Sequence, residues 1–372
     1  AQDTDGAVRR VPDDHPTIQA AVDAAAPGDL VLISPGVYHE AVDVTTDAIT
    51  IRGVDRSGVI LDGRFELDNG IRVLDADGVA VENLTAINYV FNGFYWVGVD
   101  GYRASYLTAQ RNREYGVYAF DSVDGLIEHS YASGSAIAGF YVGQCFPCNA
   151  LVVDVWAEHN AVGYLGTNSG GDLTIAESQF NDNRVGILPN SGTYELCYPQ
   201  RETTIVGNSL FDNGGDSTPG FGSVLSSQGY GIHLAGGVRN VVERNRVVGS
   251  ERFGIGVAVY VEGTPSDDLP EPDEWDTPCS VQRDEPFAEV QPDDLVDGRL
   301  LVWDPAENVV RGNVVEESGE ADIVVGSGRR PIEGLGNCVA GNVFATSRPA
   351  DIEELAPCTG TGAGDWSLDA PD

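Results

Sequence analysis

A glycine that recurs at a nearly constant spacing restricts the fold of this chain more than any other feature. It stands at positions 70, 93, 116, 139, 163, 186, 231 and 254, so successive gaps are 23, 23, 23, 24, 23, 45 and 23 residues. An apolar residue follows each of these glycines. A short repeat with strand-like patterning indicates stacked coils, each of which buries its apolar face against its neighbours. The period therefore predicts a β-solenoid.

The repeat predicts one domain over residues 14–345, with a cap at each end. Residues 14–26 are expected to form a short amphipathic helix that covers the first coil, with Asp13 or Asp14 as its N-cap, whereas residues 1–13 are expected to be frayed. Residues 346–372 are expected to form the second cap and a loose tail. Three stretches break the period and are predicted to be inserted loops on one face, often the binding face: 191–203, 213–229 and 259–299.

The first coils resemble known β-helix proteins. The segments TIQAAVDAAAPGD (17–29), VLISPGVYHEAVDV (31–44), ITIRG (49–53) and VILDG (59–63) are similar to the start of pectin methylesterases and NosD-like proteins. The later repeats resemble those of the pectate-lyase-like superfamily. The resemblance spans residues 14 to about 345 and implies an all-β, right-handed parallel β-helix of about ten or more coils. The catalytic motifs of pectin methylesterases are missing, so esterase activity is not transferred. The motifs of polygalacturonases and of alginate epimerases are missing as well.

The charge of the chain excludes several classes of partner. The formal net charge is −37, and all 21 basic residues are arginine. Such a balance disfavours nucleic acid and anionic membranes, and no apolar run is long enough to span a bilayer. The acidic surface is either a solvated surface, as in salt-adapted organisms, or a cation-binding one. We expect a monomer that is secreted or held at the cell surface, its signal peptide already removed.

Six cysteines support this location. They are Cys145, Cys148, Cys197, Cys279, Cys338 and Cys358. The even number favours disulfides in a secreted protein, although the sequence does not give the pairing. The CFPC segment at 145–148 also allows a redox pair or half a zinc site, but neither a βαβ context nor a second ligand pair accompanies it.

The glycine period aligns side chains of successive coils into rows, because neighbouring strands lie about 4.8 Å apart. One outward row is predicted to contain Arg72, Tyr95, Tyr118, Tyr141, Leu165, Leu188 and His233. Three adjacent tyrosines offer a flat surface on which a sugar stacks, with His233 further along the row. The alternative is aromatic stacking between strands beneath a loop.

A second outward row is predicted to contain Asn83, Tyr106, His129, Asp154, Glu177, Gly207 and Arg244. An imidazole beside two carboxylates suits acid–base work, and Asp154 with Glu177 also offers oxygen ligands for a metal such as Ca²⁺. Tyr106 is a candidate sugar contact. The alternative is a solvated row on an acidic surface.

The bends beyond this row contain Arg111, Arg113 and His159. In pectate-lyase-like enzymes an arginine abstracts a sugar proton while Ca²⁺ on carboxylates acidifies it, so the resemblance suggests a similar role for Arg111 or Arg113. The alternative is a set of exposed ion pairs, each contributing about 0–1 kcal/mol.

These observations lead to one functional hypothesis with two alternatives. The chain is predicted to bind or modify a polysaccharide, and if it is an enzyme, to be a lyase or epimerase for an acidic glycan. Its candidate acid–base residues are Arg111, Arg113, His129 and His159. The alternatives are a non-catalytic, NosD-like module that binds a metal or a partner, and a structural scaffold.

Overall fold

Three long parallel sheets form the protein. The computed structural model describes residues 6–216, 218–220, 222–262, 279, 301–327 and 335–358. Within them the chain passes repeatedly through sheets A, B and C, which contain 12, 10 and 11 strands. Each full coil gives one strand to each sheet and pairs in parallel with the coils before and after it. The predicted all-β fold, a right-handed parallel β-helix, is confirmed.

The strands are short and evenly distributed. Sheet A contains Val8–Val11, Leu30–Ile33, Thr50–Gly53, Ala80–Glu82, Asp100–Ser105, Val123–Glu128, Ala150–Val153, Leu173–Ala176, Thr203–Val206, Val241–Glu243, Val309–Arg311 and Cys338–Ala340. Sheet B contains Gly36–Tyr38, Val59–Asp62, Thr85–Ile87, Thr108–Gln110, Tyr131–Ser133, Trp156–Glu158, Gln179–Asn181, Ser209–Phe211, Arg246–Val248 and Val314–Glu316. Sheet C contains Val42–Val44, Ile71–Leu74, Asn92–Val97, Tyr115–Phe120, Ala138–Gly143, Val162–Thr167, Val185–Asn190, Tyr230–Ala235, Phe253–Ala258, Ala321–Val325 and Ser347–Arg348. An antiparallel pair, Tyr260–Glu262 with Leu301–Trp303, lies outside these sheets.

The core lies inside the coil and is built from vertical stacks of aliphatic side chains. In sheet A the predicted stack of Val81, Ile127, Val152, Ile175, Ile205 and Val242 is confirmed, with Ala104 between its first two members. All of these side chains are buried. Because side chains alternate across a strand, one inward residue per short strand is enough to continue the stack.

The repeat glycines are needed because neighbouring coils approach them closely. A Cβ built on Gly116 would lie 2.5 Å from the carbonyl oxygen of Gly139, and one on Gly163 would lie 2.6 Å from that of Gly186. Both distances are shorter than a Cβ tolerates. The period of the sequence therefore marks a column where one coil's backbone occupies the space of a missing side chain.

The first coil is closed by helix α1, Ile18–Asp23, which buries Ile18, Ala21 and Val22 against the core. Two expectations about this end were wrong. Thr17 is the N-cap instead of Asp13 or Asp14, since its hydroxyl accepts a hydrogen bond from the Ala20 amide. Residues 8–11 are not frayed, because they form the first strand of sheet A and pair with Leu30–Ile33.

At the other end, helix α2 (Ile352–Leu355) packs against the last strand of sheet A and buries Ile352. Sheet C continues to Ser347–Arg348, just beyond the predicted domain boundary. A 3₁₀ segment of six residues, Gly222–Ser227, lies in the second insertion. Helices in the described part of the chain are too short or too polar to cross a membrane.

Buried asparagines form hydrogen-bonded ladders along the turns, as predicted. Each Nδ2 in the series Asn208, Asn245, Asn313 and Asn342 donates to the Oδ1 of the next, at 3.0, 3.0 and 2.9 Å. The same Oδ1 atoms accept the backbone N–H of the preceding asparagine. Two further ladders are formed by Asn160, Asn183 and Asn213, and by Asn240, Asn308 and Asn337. The ladders satisfy buried backbone groups that the turns leave unpaired.

The six cysteines form three disulfides, Cys145–Cys148, Cys197–Cys279 and Cys338–Cys358. The CFPC segment is therefore a disulfide in this structure. Most of the predicted loop 259–299 and the predicted tail after residue 358 lie outside the described residues.

Candidate functional site

The insertions lie at both ends of the strands of sheet C. Residues 191–202 follow the C-terminal end of strand Val185–Asn190, and residues 212–229 lead into the N-terminal end of strand Tyr230–Ala235. The third insertion begins after strand Phe253–Ala258. Interruptions of the repeat therefore flank the outer face of this one sheet. That face is the candidate ligand site, because insertions in a solenoid often surround the binding face.

The predicted tyrosine row lies on this face and its alignment is confirmed. Tyr95 pairs with Arg72 and with Tyr118, and Tyr118 pairs with Tyr141. The rings of Tyr95 and Tyr118 are nearly parallel, with centroids 5.1 Å apart and an interplanar angle of 5°. Tyr118 and Tyr141 stack at 4.5 Å and 13°. The row continues with Leu165, Leu188 and His233.

The row is open at one end and covered at the other. Tyr95 and Tyr118 are half-buried, whereas Tyr141 is 1% exposed. From Tyr141 onward the outer face belongs to a second apolar cluster outside the coil, which includes Ala138, Leu165, Leu188, Tyr230, Phe253 and Val324. The alternative of aromatic stacking between strands describes all three tyrosines, and Tyr141 is covered as well. Tyr95 and Tyr118 keep a half-exposed side, and their contact with a sugar stays a prediction.

Glu195, from the first insertion, lies against the covered end of the row. The Tyr141 hydroxyl is 2.6 Å from both carboxylate oxygens and donates to them. Burial raises the pKa of Glu195 to about 8, and the hydrogen bond from Tyr141 opposes this rise. Among the described residues no Arg or His forms an ion pair with this carboxyl group. A carboxyl group with such a pKa is largely protonated at neutral pH.

The loop that carries Glu195 is held firmly. The Asn168 side chain donates to the Gly192 and Glu195 carbonyls, at 2.6 Å each, and accepts the Gly192 amide at 3.0 Å. The Glu262 carboxylate accepts the Thr193 amide and hydroxyl, and the Cys197–Cys279 disulfide closes the segment. Fixed loops of this kind hold a side chain in one geometry, as binding and catalytic sites require.

A second carboxyl group, Glu114, lies next to the row at the start of strand Tyr115–Phe120. Burial raises its pKa, and the neighbouring Arg113 opposes the shift. Burial first, and then the Glu195 charge, also raise the pKa values of Tyr115 and Tyr118, so both phenols stay neutral at physiological pH. Arg113, predicted as an acid–base residue, is exposed at this edge of sheet C.

His233 is almost completely buried, at 5% exposed. Its Nδ1 is 3.0 Å from the Ser227 hydroxyl, and its ring stacks on Tyr230 with centroids 4.1 Å apart. Burial, aided by Arg252, lowers the pKa of His233 to about 3, so the imidazole is neutral. Ser227 also lines a cavity of about 40 Å³, bounded further by Leu165, Leu188, Asn190, Tyr194, Ala235 and Tyr260. Such a space holds about one water molecule.

The second predicted row lies elsewhere, at the turn from sheet A to sheet B. Tyr106, His129, Asp154 and Glu177 all have left-handed backbone conformations, with φ between 48° and 54°. His129 Nδ1 is 2.5 Å from Asp154 Oδ2, and the Tyr106 ring stacks on the imidazole with centroids 4.6 Å apart. The alignment of His129 with Asp154 is therefore as predicted, while Glu177 is an exposed neighbour.

His129 also ends a ladder of ion pairs that crosses several coils. Arg52 pairs with Glu82 at 2.6 Å, Glu82 with Arg103 at 2.8 Å, and Arg103 with Glu128 at 2.5 Å. Glu128 lies 3.7 Å from His129 Nε2. Alternating charges of this kind hold neighbouring strands in register.

The predicted site residues are thus divided among three places. Arg111 and His159 share the exposed turn from sheet B to sheet C, where both adopt φ values near 55° (54° and 58°). Arg113 lies just before strand Tyr115–Phe120 of sheet C, and His129 lies at the turn from sheet A to sheet B. The catalytic roles of these four residues stay predictions, as do the substrate contacts of Tyr106 and His233.

The predicted Ca²⁺ site is not formed by the described residues. No group of three or more His, Cys, Asp or Glu side chains in the described part of the chain is placed to hold a metal ion. Asp154 shares a hydrogen bond with His129 through one carboxylate oxygen, and Glu177 is an exposed neighbour. Ca²⁺ takes about six to eight oxygen ligands, so the pair does not fit it.

Glu195 is the residue that sequence reasoning missed. The insertion that carries it, SGTYELCYPQRET, was recognised as an interruption of the period. Its two acidic residues are Glu195 and Glu202. The position of Glu195 directly after Tyr194 and two residues before Cys197 was the available signal, but nothing in the period places an inserted residue above a given coil.

Comparison with solved structures finds the same architecture. A rhamnogalacturonan lyase matches with a TM-score of 0.56 and 13% identity, over 89% of this chain and 87% of that one. The A-module of the mannuronan C-5 epimerase AlgE4 from Azotobacter vinelandii matches with a TM-score of 0.50 and 13% identity, over 92% and 94%. The catalytic domain of a GH87 α-1,3-glucanase, solved with tetrasaccharides, matches with a TM-score of 0.50 and 14% identity, over 92% and 70%.

These similarities establish the fold class. The chain is a right-handed parallel β-helix protein. No family model and no curated protein matches its sequence.

Proposed function

We propose that the chain binds a polysaccharide along the outer face of sheet C and modifies it there. The observation that carries this proposal is the parallel, half-buried pair of Tyr95 and Tyr118, in a face flanked by the insertions. Stacked aromatic rings on successive strands present a strip of apolar ring edges, and their hydroxyl groups offer hydrogen bonds. A sugar chain that runs along the solenoid axis meets one ring per coil, at a spacing of about 4.8 Å.

The structural neighbours support a carbohydrate as the ligand. Two of the proteins named above are a lyase and an epimerase, and a third was solved with bound tetrasaccharides. Within our proposal, the modification is a lyase or epimerase reaction on an acidic glycan, with Arg111, Arg113, His129 and His159 as candidates. Arg113 is the candidate nearest the tyrosines along the chain. We further propose that the protein is secreted or held at the cell surface, which its three disulfides support.

The test compares glycan binding by the wild type with Tyr95→Ala, Tyr118→Ala and the double variant. Affinity electrophoresis through gels containing neutral or acidic polysaccharides, with and without Ca²⁺, supplies the measurement. We expect each single variant to bind about fivefold to tenfold more weakly, because one ring stack contributes about 1 kcal/mol. The matched control is Phe65→Ala, which removes an aromatic side chain that is 59% exposed on a different turn.

Two results would contradict the proposal. A double variant that migrates like the wild type in every retarding gel shows that the tyrosines do not hold the glycan. Retardation of the wild type by no polysaccharide removes the proposed ligand class. Binding without release of an unsaturated or epimerised product supports the non-catalytic alternative instead of the enzyme.

A further inference from the structure

Glu195 is an acidic side chain placed among aromatic rings without a counter-charge. Its carboxylate oxygens contact the Tyr141 hydroxyl, and neither contacts a cation in the described part of the chain. An ionised carboxylate in such surroundings is costly, and proteins resolve the cost by pairing the charge or by keeping the proton. Here the surroundings favour keeping the proton.

Among the described residues, four phenols lie around Glu195, and the Glu114 carboxyl group lies against two of them, Tyr115 and Tyr118. Tyr115 and Tyr118 come from one strand of sheet C, Tyr141 comes from the next, and Tyr194 belongs to the same loop. Burial raises the pKa of Tyr115, Tyr118 and Tyr141, whereas Tyr194 is half exposed. In the described part of the chain, no cation compensates a negative charge on Glu195 between neutral and mildly alkaline pH.

The loop does not relieve this situation by moving aside. Beyond the contacts of Gly192, Thr193 and Glu195 described above, the Leu196 amide donates to the Gln144 side chain at 3.0 Å. The Asn190 side chain also donates to the Tyr194 hydroxyl at 2.6 Å. The backbone on both sides of Glu195 is thus fixed, and its carboxyl group stays beside the tyrosine row.

We propose that protonated Glu195 is the recognition group for the carboxylate of an acidic sugar bound on Tyr95 and Tyr118. The inference rests on the proposed function and names its substrate class. A protonated carboxyl group accepts the Tyr141 hydrogen bond through one oxygen and donates its own proton through the other. A hydrogen bond from a carboxylic acid to a carboxylate is short and strong. An ionised Glu195 would repel the same ligand.

This arrangement also reduces the electrostatic repulsion between the acidic protein and an acidic sugar. With a net charge of −37, the protein as a whole repels polyuronates. A carboxyl group that is neutral inside the site removes one repulsive charge at the point of contact and replaces it with a donor. The two carboxyl groups, one from the protein and one from the sugar, then share a single proton, as paired carboxylates do in other binding sites.

The proposal predicts a specific dependence of affinity on pH. The apparent dissociation constant equals the intrinsic one divided by the protonated fraction of Glu195. With a pKa of about 8, affinity is constant below about pH 7 and weakens about tenfold between pH 7 and pH 9. The sign follows because only the protonated form donates.

The experiment measures binding of short oligouronides by calorimetry at pH 7 and pH 9. The probes are oligogalacturonate, oligomannuronate and oligoguluronate, each compared with its carboxyl-reduced, neutral form. The wild type should show the tenfold loss with at least one uronide and no loss with neutral forms. Glu195→Gln should bind that uronide at both pH values, because its amide donates without a titratable proton.

Two further variants complete the test. Glu195→Leu removes the donor and should weaken uronide binding at pH 7 by about tenfold or more, as loss of one charge-assisted hydrogen bond does. Glu317→Gln, an exposed carboxyl on another coil, should behave like the wild type at both pH values.

The outcomes separate this inference from the proposed function. Uronide binding that is independent of pH in the wild type, or equally pH-dependent in Glu195→Gln, overturns the role of Glu195. Binding of the neutral forms alone overturns the substrate class while the tyrosine surface stands. No binding of any oligosaccharide overturns the proposed function and this inference together.

Discussion

Replacing Asn245 by alanine tests whether the asparagine ladder holds the coils together. The Asn245 side chain accepts the Asn208 backbone N–H at 2.9 Å and the Asn208 Nδ2 at 3.0 Å. It donates to the Ile205 carbonyl at 2.9 Å and to Asn313 Oδ1 at 3.0 Å. Asn245 is 1% exposed, so water does not replace these partners.

The expected loss follows from this count. Each intramolecular hydrogen bond contributes about 1 kcal/mol net, and a buried N–H left without a partner costs about 1–3 kcal/mol. Four lost bonds and one orphaned buried N–H lead us to expect that Asn245→Ala lowers the free energy of unfolding by about 5–7 kcal/mol. The measurement is urea unfolding, monitored by far-ultraviolet circular dichroism. The midpoints are compared if both proteins have the same slope of unfolding free energy against urea concentration.

The matched control is Asn181→Ala. Asn181 lies on the outer face of sheet B, and its Oδ1 accepts one hydrogen bond, from the Phe211 amide at 3.0 Å. We expect this change to cost about 1 kcal/mol. If the two variants differ by less than about 1 kcal/mol, the ladder is not the stabilising element that the hydrogen bonds indicate.

Three further predictions concern single side chains. Glu195 keeps its proton in the folded state up to about pH 8 but loses it near the ordinary value of 4.5 when unfolded. The stability of the wild type should therefore fall relative to that of Glu195→Gln between these pH values, by up to about 1.4 kcal/mol per pH unit. A difference in melting temperature between the two proteins that is the same at pH 5 and pH 8 would contradict this. The pKa of His233 is shifted in the opposite direction, since it is about 3 in the folded state against an ordinary value of 6.5. Acidification below pH 6.5 should destabilise the wild type relative to His233→Gln, by up to about 1.4 kcal/mol per pH unit, and equal acid midpoints for the two proteins would refute the burial argument. Thr17→Ala removes the N-cap of α1 and should cost about 1 kcal/mol in urea unfolding; an unchanged midpoint would show that the cap is not needed.

The period of the sequence was sufficient to predict the fold and one surface row. Parallel pairing between coils of equal length leaves no freedom of register, so Tyr95, Tyr118 and Tyr141 had to be neighbours. The same reasoning aligned His129 with Asp154. Residues that obey the repeat are therefore predictable from their spacing alone.

Residues outside the repeat were not predictable in this way. Glu195 lies in an insertion, where no periodic partner fixes its height above the sheet, and its contact with Tyr141 depends on the bracing by Asn168 and Glu262. The covering of Tyr141 has the same origin. Thr17 was missed as an N-cap because Asp13 and Asp14 are equally good capping residues by type, and only the position of the first helical turn distinguishes them.

The asparagine ladder also has a direction. Every amide in it donates toward the next coil, so the series ends with a donor at Asn342 that no further repeat can satisfy. The Glu353 carboxylate of α2 accepts hydrogen bonds from the Asn342 backbone N–H, at 2.7 Å, and from the Asn342 side-chain Nδ2, at 3.1 Å. A transplanted or shortened version of this solenoid therefore needs a hydrogen-bond acceptor at its last coil, because an apolar lid alone leaves the last donors of the ladder unpaired.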